Sequence, residues 1–279
     1  MTKFQYKTQE HIPEEKQVGE VRYLTYPILE ETSMVHHGFS TRVGGVSRGI
    51  YSTMNLSFAQ GDEEEKVFEN YRRMTQAVGV QNRYLVKAAQ THTTNVHKVT
   101  EQNKEDVLQN VDGLITDCDK VCLVTTYADC VPLFFVDVRN RAIGLSHSGW
   151  RGTVGKIGQK TLFRMKEEYG TNPEDVLVAI GPSICRDCYE VSEDVINEFR
   201  SSFDDIYWKE MFYQKANGKY QLDLWKTNEI LLKEAGILPE HIAVTNICTC
   251  CNSELLFSHR ATKGQRGAMA AFLALKKEE

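Results

Sequence analysis

Apolar residues recur at helical spacing over 155–168, 192–201 and 222–235, so each of these segments is expected to bury one face as a helix. Gly170 and Gly236 follow the first and third and supply their stops. The polar stretch GDEEEKVFENYRRMT, 61–75, opens with acidic side chains, which suit the positive end of a further helix. Elsewhere the apolar runs are short, rich in branched residues and bounded by turn formers. Those at 121–126, 131–136, 142–147, 176–180 and 242–247 predict strands, with another at 84–89. The apolar run 268–275 near the C-terminus reads as a helix. Runs of strands with only occasional helices favour an α+β fold, with mixed β-sheet layers flanked by helices. No low-complexity block, fixed-period repeat or Pro/Gly/Ser-rich linker divides the chain, so 1–279 is expected to form a single domain.

Composition narrows the function. A chain of 279 residues has ample core material, and a formal net charge of -5 argues against a nonspecific nucleic-acid or membrane-surface binder while leaving small anions as ligands. The segment MTKFQYKTQEHIPEE lacks a signal peptide's apolar core and no apolar run reaches spanning length, so the expectation is a cytoplasmic protein. Eight cysteines in such a chain are expected to stay reduced or to bind metal.

The stretch ADCVPLFFVDVRNRAIGLSHSGWRG carries the sharpest local inference. Strands 131–136 and 142–147 are separated by too few residues for a parallel crossover and should form a hairpin. Facing Asp137 with Asn140, or Val136 with Arg141, sets one register, and that register puts Cys130 opposite His147. Directly opposed side chains have Cβ atoms about 4.5–5.5 Å apart, close enough for a thiolate and an imidazole to share one zinc ion. Pro132 argues for a late start or an edge position for its strand. A third ligand is sought among His11, His36, His37, His92, His97, His241 and His259; His92, in the polar run after strand 84–89, is the choice. A His, Cys, His set leaves a fourth position for water or substrate, as in catalytic zinc.

Two glycine-bearing loops, STRVGGVSRG at 40–49 and SGWRG at 148–152, pair backbone flexibility with Arg42 and Arg151 and suit an anion, although neither matches a nucleotide-binding pattern. FSHRATKGQRG, 257–267, adds basic residues that could close over a site or form a solvated loop. Cys185 and Cys188 have C-x-x-C spacing, with Cys248, Cys250 and Cys251 about sixty residues later. A structural zinc or a thiol pair is conceivable there, and free or partly buried thiols are the expectation.

The ordered set HGFSTRVGGVS, QTHTTNVH, DGLITD, TTYADCVPLFFVD, GLSHSGWRGTV, IGPSICRDCYEV and LLFSHR resembles the laccase-domain family, also described as polyphenol oxidase-like and as purine nucleoside phosphorylases. The resemblance runs from about His37 to near the C-terminus. It implies a single α+β domain binding one zinc through His92, Cys130 and His147. It also implies cleavage of purine nucleosides, methylthioadenosine included, by phosphate to ribose 1-phosphate and free base, with adenosine deamination as a second activity. On that footing Ser40, Arg42, Arg151 and Arg260 are assigned to phosphate and substrate. Asp129 is assigned to proton movement, with a simple turn aspartate as the alternative. Three rivals stay open: copper-dependent oxidation of phenols, which the resemblance also implies, and, from the residues themselves, a Cys130/His147 hydrolase and a zinc-stabilised interaction protein.

Overall fold

The computed structural model describes residues 2–277. Two large mixed sheets face each other. The first runs, edge to edge, through Glu14–Val18, Val21–Thr25, Val35–Ser40, Met269–Leu275, Val121–Tyr127, Tyr84–Ala89 and Leu108–Gln109. The second runs through Ile242–Val244, Val176–Ile180, Val131–Asp137, Ala142–Ser148, Gly113–Thr116 and Val96–Lys98. A small three-stranded sheet, Glu190–Val191, Tyr220–Leu222 and Phe212–Gln214, lies to one side. Both large sheets combine antiparallel and parallel pairs.

Alternation along the strands builds the layers. In Val131–Asp137, Phe134 and Val136 point between the sheets, where they meet Phe39, Leu123 and Leu273. Leu133 and Phe135 point the other way, into a core shared with the helices Ile157–Tyr169, Glu193–Ser202 and Leu224–Glu234. The outer face of the first sheet, including Val124 and Phe272, is covered by Glu64–Val78. The result is a helix, sheet, sheet, helix sandwich, in which each fully buried Phe or Leu contributes roughly 1.5–3 kcal/mol of transfer free energy. The expected α+β class and its helices are present, and Gly170 ends Ile157–Tyr169 in the left-handed region at φ 72°.

Three expectations are corrected. Residues 268–275 do not form a helix: Met269–Leu275 is a central strand. Met269, Ala271 and Leu273 enter the core between the sheets while Ala270, Phe272 and Ala274 enter the helix-covered core. Both faces are apolar, so the twofold alternation leaves no polar phase to read. Secondly, Val131–Asp137 is not at an edge; it lies between Val176–Ile180 and Ala142–Ser148, with Pro132 near its start.

The hairpin register also differs, by two residues. Ala142 pairs with Asp137, which places Pro132 rather than Cys130 opposite His147. The Asp137 carboxylate accepts hydrogen bonds from the Arg139 and Asn140 amides at 2.9 Å each, and Arg141 takes φ 56°, so the turn occupies 138–141. A slip of one residue would have turned every side chain to the opposite face; a slip of two keeps Cys130 and His147 on the same side.

Candidate metal centre and its cavity

The chain crosses from the first sheet to the second through Ala128, Asp129 and Cys130, between strands Val121–Tyr127 and Val131–Asp137. His147 reaches the same place from the end of Ala142–Ser148, and His92 from the loop after Tyr84–Ala89. Ligand-capable atoms of His92, Cys130 and His147 all lie within 4.8 Å of one another, with Cys130 Sγ 3.7 Å from His92 Nε2. His147 is buried and His92 exposed, so the cluster opens to solvent through His92. Gly149 permits this crowding: a Cβ there would stand 2.7 Å from His92 Cδ2 and 3.0 Å from Cys130 Sγ. The tight turn of SHSGWRG therefore leaves room for the two side chains beside it.

The motif reading did not single out Asp112, which organises the cluster. Its Oδ1 faces His147 Nδ1 at 2.8 Å and accepts from the His92 amide at 3.1 Å. Its Oδ2 accepts from the amides of Thr91 and Thr93 at 3.1 and 2.9 Å and from the Thr93 hydroxyl at 3.0 Å. One carboxylate thus holds His147 and the His92 loop, where His92 itself sits at φ 62°. With Nδ1 engaged, His147 Nε2 is the nitrogen left for a metal. Burial pushes the Asp112 carboxyl up, yet the His147 and amide hydrogen bonds hold it at about 2.

Burial raises the Cys130 thiol, but the His147 charge and hydrogen bonds from both imidazoles outweigh it and draw the thiol down to about 6. Burial lowers His147, and the Cys130 thiolate and Asp112 outweigh that, raising it to about 9. In metal-free protein the pair therefore favours thiolate and imidazolium over thiol and neutral imidazole. Ultraviolet thiolate titration, taken as the difference from Cys130→Ser, is expected to show a midpoint below that of an ordinary thiol. His147→Ala should move that midpoint upward; a midpoint unmoved by the substitution would contradict the pairing.

The cluster lies in a cavity of about 1190 Å³. Trp150, Tyr189, Lys87, His259, Arg260 and Arg266 line it, together with Asp129. Lys87 Nζ lies over the Phe58 and Tyr71 rings at 4.6 and 4.5 Å, and burial lowers its pKa. Arg266 is largely enclosed, and its Nε has no hydrogen-bond partner among the described residues. Sequence reading counted Arg266 only as one more basic residue of a loop; a buried, unsatisfied guanidinium nitrogen is visible only in three dimensions.

The other expected site residues divide. Arg260 reaches the cavity, and its guanidinium donates to the Cys188 and Glu190 carbonyls at 3.3 and 2.9 Å. Asp129 accepts from the Thr249 hydroxyl at 2.6 Å and the Arg260 amide at 2.7 Å, the pattern of a turn and loop anchor. Arg151 is exposed and stacks 4.2 Å over Trp150, outside the cavity lining. Ser40 and Arg42 do not line it either. Ser40 is buried and accepts from the Ala270 amide, while Arg42 donates to the Ser52 and Ser253 carbonyls at 2.8 Å and lies over Phe257. Among the rejected histidines, His37 is a core residue that accepts from the Tyr26 amide at 2.8 Å, and burial lowers it to about 3.

Comparison with known proteins gives the chain a family and a matching fold. Residues 36–276 match the family described as multi-copper polyphenol oxidoreductase laccase. The purine nucleoside phosphorylase YlmD of Bacillus subtilis is 34% identical over 246 residues, covering 86% of this chain and 88% of that protein. A purine nucleoside phosphorylase of Bacteroides thetaiotaomicron is 34% identical over 263 residues, covering 92% and 97%. The crystal structure of YlmD from Geobacillus stearothermophilus superposes with a TM-score of 0.87 at 30% identity, covering 96% of this chain and all of that one. Among the described residues no helix is long and apolar enough to cross a membrane.

Proposed function

The chain belongs to the laccase-domain family, and from that membership we propose that it is a zinc-dependent purine nucleoside phosphorylase. It would split adenosine, inosine and related nucleosides, methylthioadenosine included, with phosphate into ribose 1-phosphate and free base, and would deaminate adenosine as a second activity. The observation that carries the reading is a cluster of two imidazoles and a thiol opening through His92 onto a cavity walled by guanidinium and aromatic groups. The donor set fits zinc: nitrogen and sulfur ligands, a carboxylate behind His147, and one open side. His92, Cys130 and His147 would hold the metal, which when bound supplies Lewis acidity and an acidified water.

The remaining work falls to the chain's own side chains. Positive charge grows on the ribose as the purine leaves, and the attacking phosphate must be held close to the sugar carbon. Arg260 and Arg266, which line the cavity, would bind that dianion, with Lys87 as a further cation there. Trp150 and Tyr189 offer flat faces to the base. Asp129 holds the Arg260 backbone, and Arg42 braces the segment before it through Ser253 and Phe257. Ser40 and Arg42 therefore act as supports, and Arg151 acts through Trp150.

The test is product analysis of zinc-loaded protein with adenosine or inosine, with and without phosphate, before and after chelation. Ribose 1-phosphate and free base are expected only when both phosphate and metal are present. Absence of base release and deamination in folded, zinc-loaded protein would overturn the proposal. Oxygen consumption with a phenol by copper-loaded protein would favour the oxidase, and full activity without metal would favour a Cys130 nucleophile.

A further inference from the structure

A second convergence of cysteines lies outside the His92, Cys130, His147 cluster. Cys185 and Cys188 flank a tight turn in which the Cys188 amide donates to the Cys185 carbonyl at 3.1 Å. Cys248 and Cys251 share the same two-residue spacing, and the Asn252 amide donates to the Cys248 carbonyl at 3.0 Å. Backbone contacts clamp the two turns together. Ser183 bridges Cys248 in parallel, the Thr249 amide donates to Ser183 at 3.1 Å, and the Ser183 amide donates to Ile247 at 3.2 Å. This brings together residues 63 apart, and the four sulfurs lie within 4.8 Å of one another.

From this convergence we infer a structural zinc site, held by Cys185, Cys188, Cys248 and Cys251 and separate from the His92, Cys130, His147 cluster. Zinc–sulfur bonds of about 2.3 Å at tetrahedral angles place sulfurs roughly 3.8 Å apart. Cys188 Sγ and Cys251 Sγ stand 3.5 Å apart, near that spacing and well beyond a disulfide bond. The surroundings suit thiolates. The Cys185 and Cys251 amides both donate to Cys248 Sγ, at 3.3 and 3.4 Å. Lys7, paired with Asp187 at 3.0 Å, lies within electrostatic reach of Cys185 and Cys251 and offsets part of a four-thiolate charge. Cys250 is outside the set despite its position between two members. Four protein ligands leave no open position, which marks a structural rather than a catalytic centre.

Its placement gives the site a task. Cys188 supplies a carbonyl to the Arg260 guanidinium, Tyr189 follows it into the cavity wall, and Thr249 donates to Asp129. A metal there would tie the turn at 185–188 to the turn at 248–251 and brace that wall.

The experiment is metal analysis of reduced, purified full-length protein. Two zinc ions per chain are expected in the parent. One is expected in a Cys188→Ser/Cys251→Ser variant, one in His92→Ala/Cys130→Ala, and two in Cys250→Ser. In the parent, mass spectrometry should show Cys185, Cys188, Cys248 and Cys251 resisting alkylation until a chelator is added, an arm that needs no variant to fold. Cobalt loading of His92→Ala/Cys130→Ala should give the charge-transfer absorption of a four-thiolate site. A parent with a single zinc that the His92/Cys130 substitutions remove would overturn the inference. So would a disulfide mass in place of metal, iron in place of zinc, or alkylation of the four thiols at the same rate with and without chelator. None of these readouts depends on nucleoside turnover, so this inference and the phosphorylase proposal fail separately.

Discussion

Replacing His147 with alanine is expected to reduce phosphate-dependent base release on the order of 10³-fold or more and to remove the metal held with His92 and Cys130. The substitution deletes one of three donors whose atoms lie within 4.8 Å of one another. It also leaves the buried Asp112 carboxylate without the imidazole 2.8 Å away. A catalytic metal is worth several kcal/mol of charge stabilisation, which converts to a rate loss of that order. Steady-state phosphorolysis and metal content on the same preparation check it. Unchanged metal content with activity within about tenfold of the parent would remove His147 from the centre.

Asp112→Asn should weaken metal binding about 10–100-fold and destabilise the fold by roughly 1–3 kcal/mol, although Asp112 touches no metal itself. The carboxylate accepts from three amides, a hydroxyl and His147 Nδ1, while an amide side chain would turn a donor group toward some of those same donors. Chelator competition reads the first effect and denaturant midpoints the second. The pH dependence has a definite sign. The carboxyl is depressed in the folded protein to about 2, so its stabilisation is present above its unfolded value near ~3.9 and is lost as pH falls through about 2. In metal-free protein the shift corresponds to roughly 2–3 kcal/mol, and the stability gap between parent and variant should narrow across that acid window. A gap that stayed constant between pH 5 and pH 2 would contradict the assigned role.

Cys130 and His147 show how far local reasoning reaches. Two apolar runs with a short polar gap required a hairpin, and the twofold alternation put both side chains on one face even though the register differed by two residues. The error came from the turn: Asp137 stays in the strand and uses its side chain to cap the loop, a contact without a hydrophobic signature. His92 was reached as one histidine among several, with support from the family resemblance. Its loop is oriented by Asp112, twenty residues away in sequence, and no local period connects them.

Arg42 and Arg266 show where local reasoning stops. Glycine-rich surroundings make Arg42 read as an anion ligand, but the folded chain leaves it outside the cavity lining, donating to two backbone carbonyls and lying over the Phe257 ring. Arg266 looked like one more surface charge, and folding leaves its Nε buried and unpaired at the cavity.

Strand and helix content, the hairpin and the shared face of Cys130 and His147 follow from hydrophobic spacing and chain connectivity, which act over a few residues and are written directly in the order of side chains. The C-terminal strand, the Asp112 hub, the choice of cavity arginine and the meeting of Cys185 and Cys188 with Cys248 and Cys251 follow from packing. They depend on which distant segments the two sheets press together, and burial decides there which polar groups find partners and which are left without one.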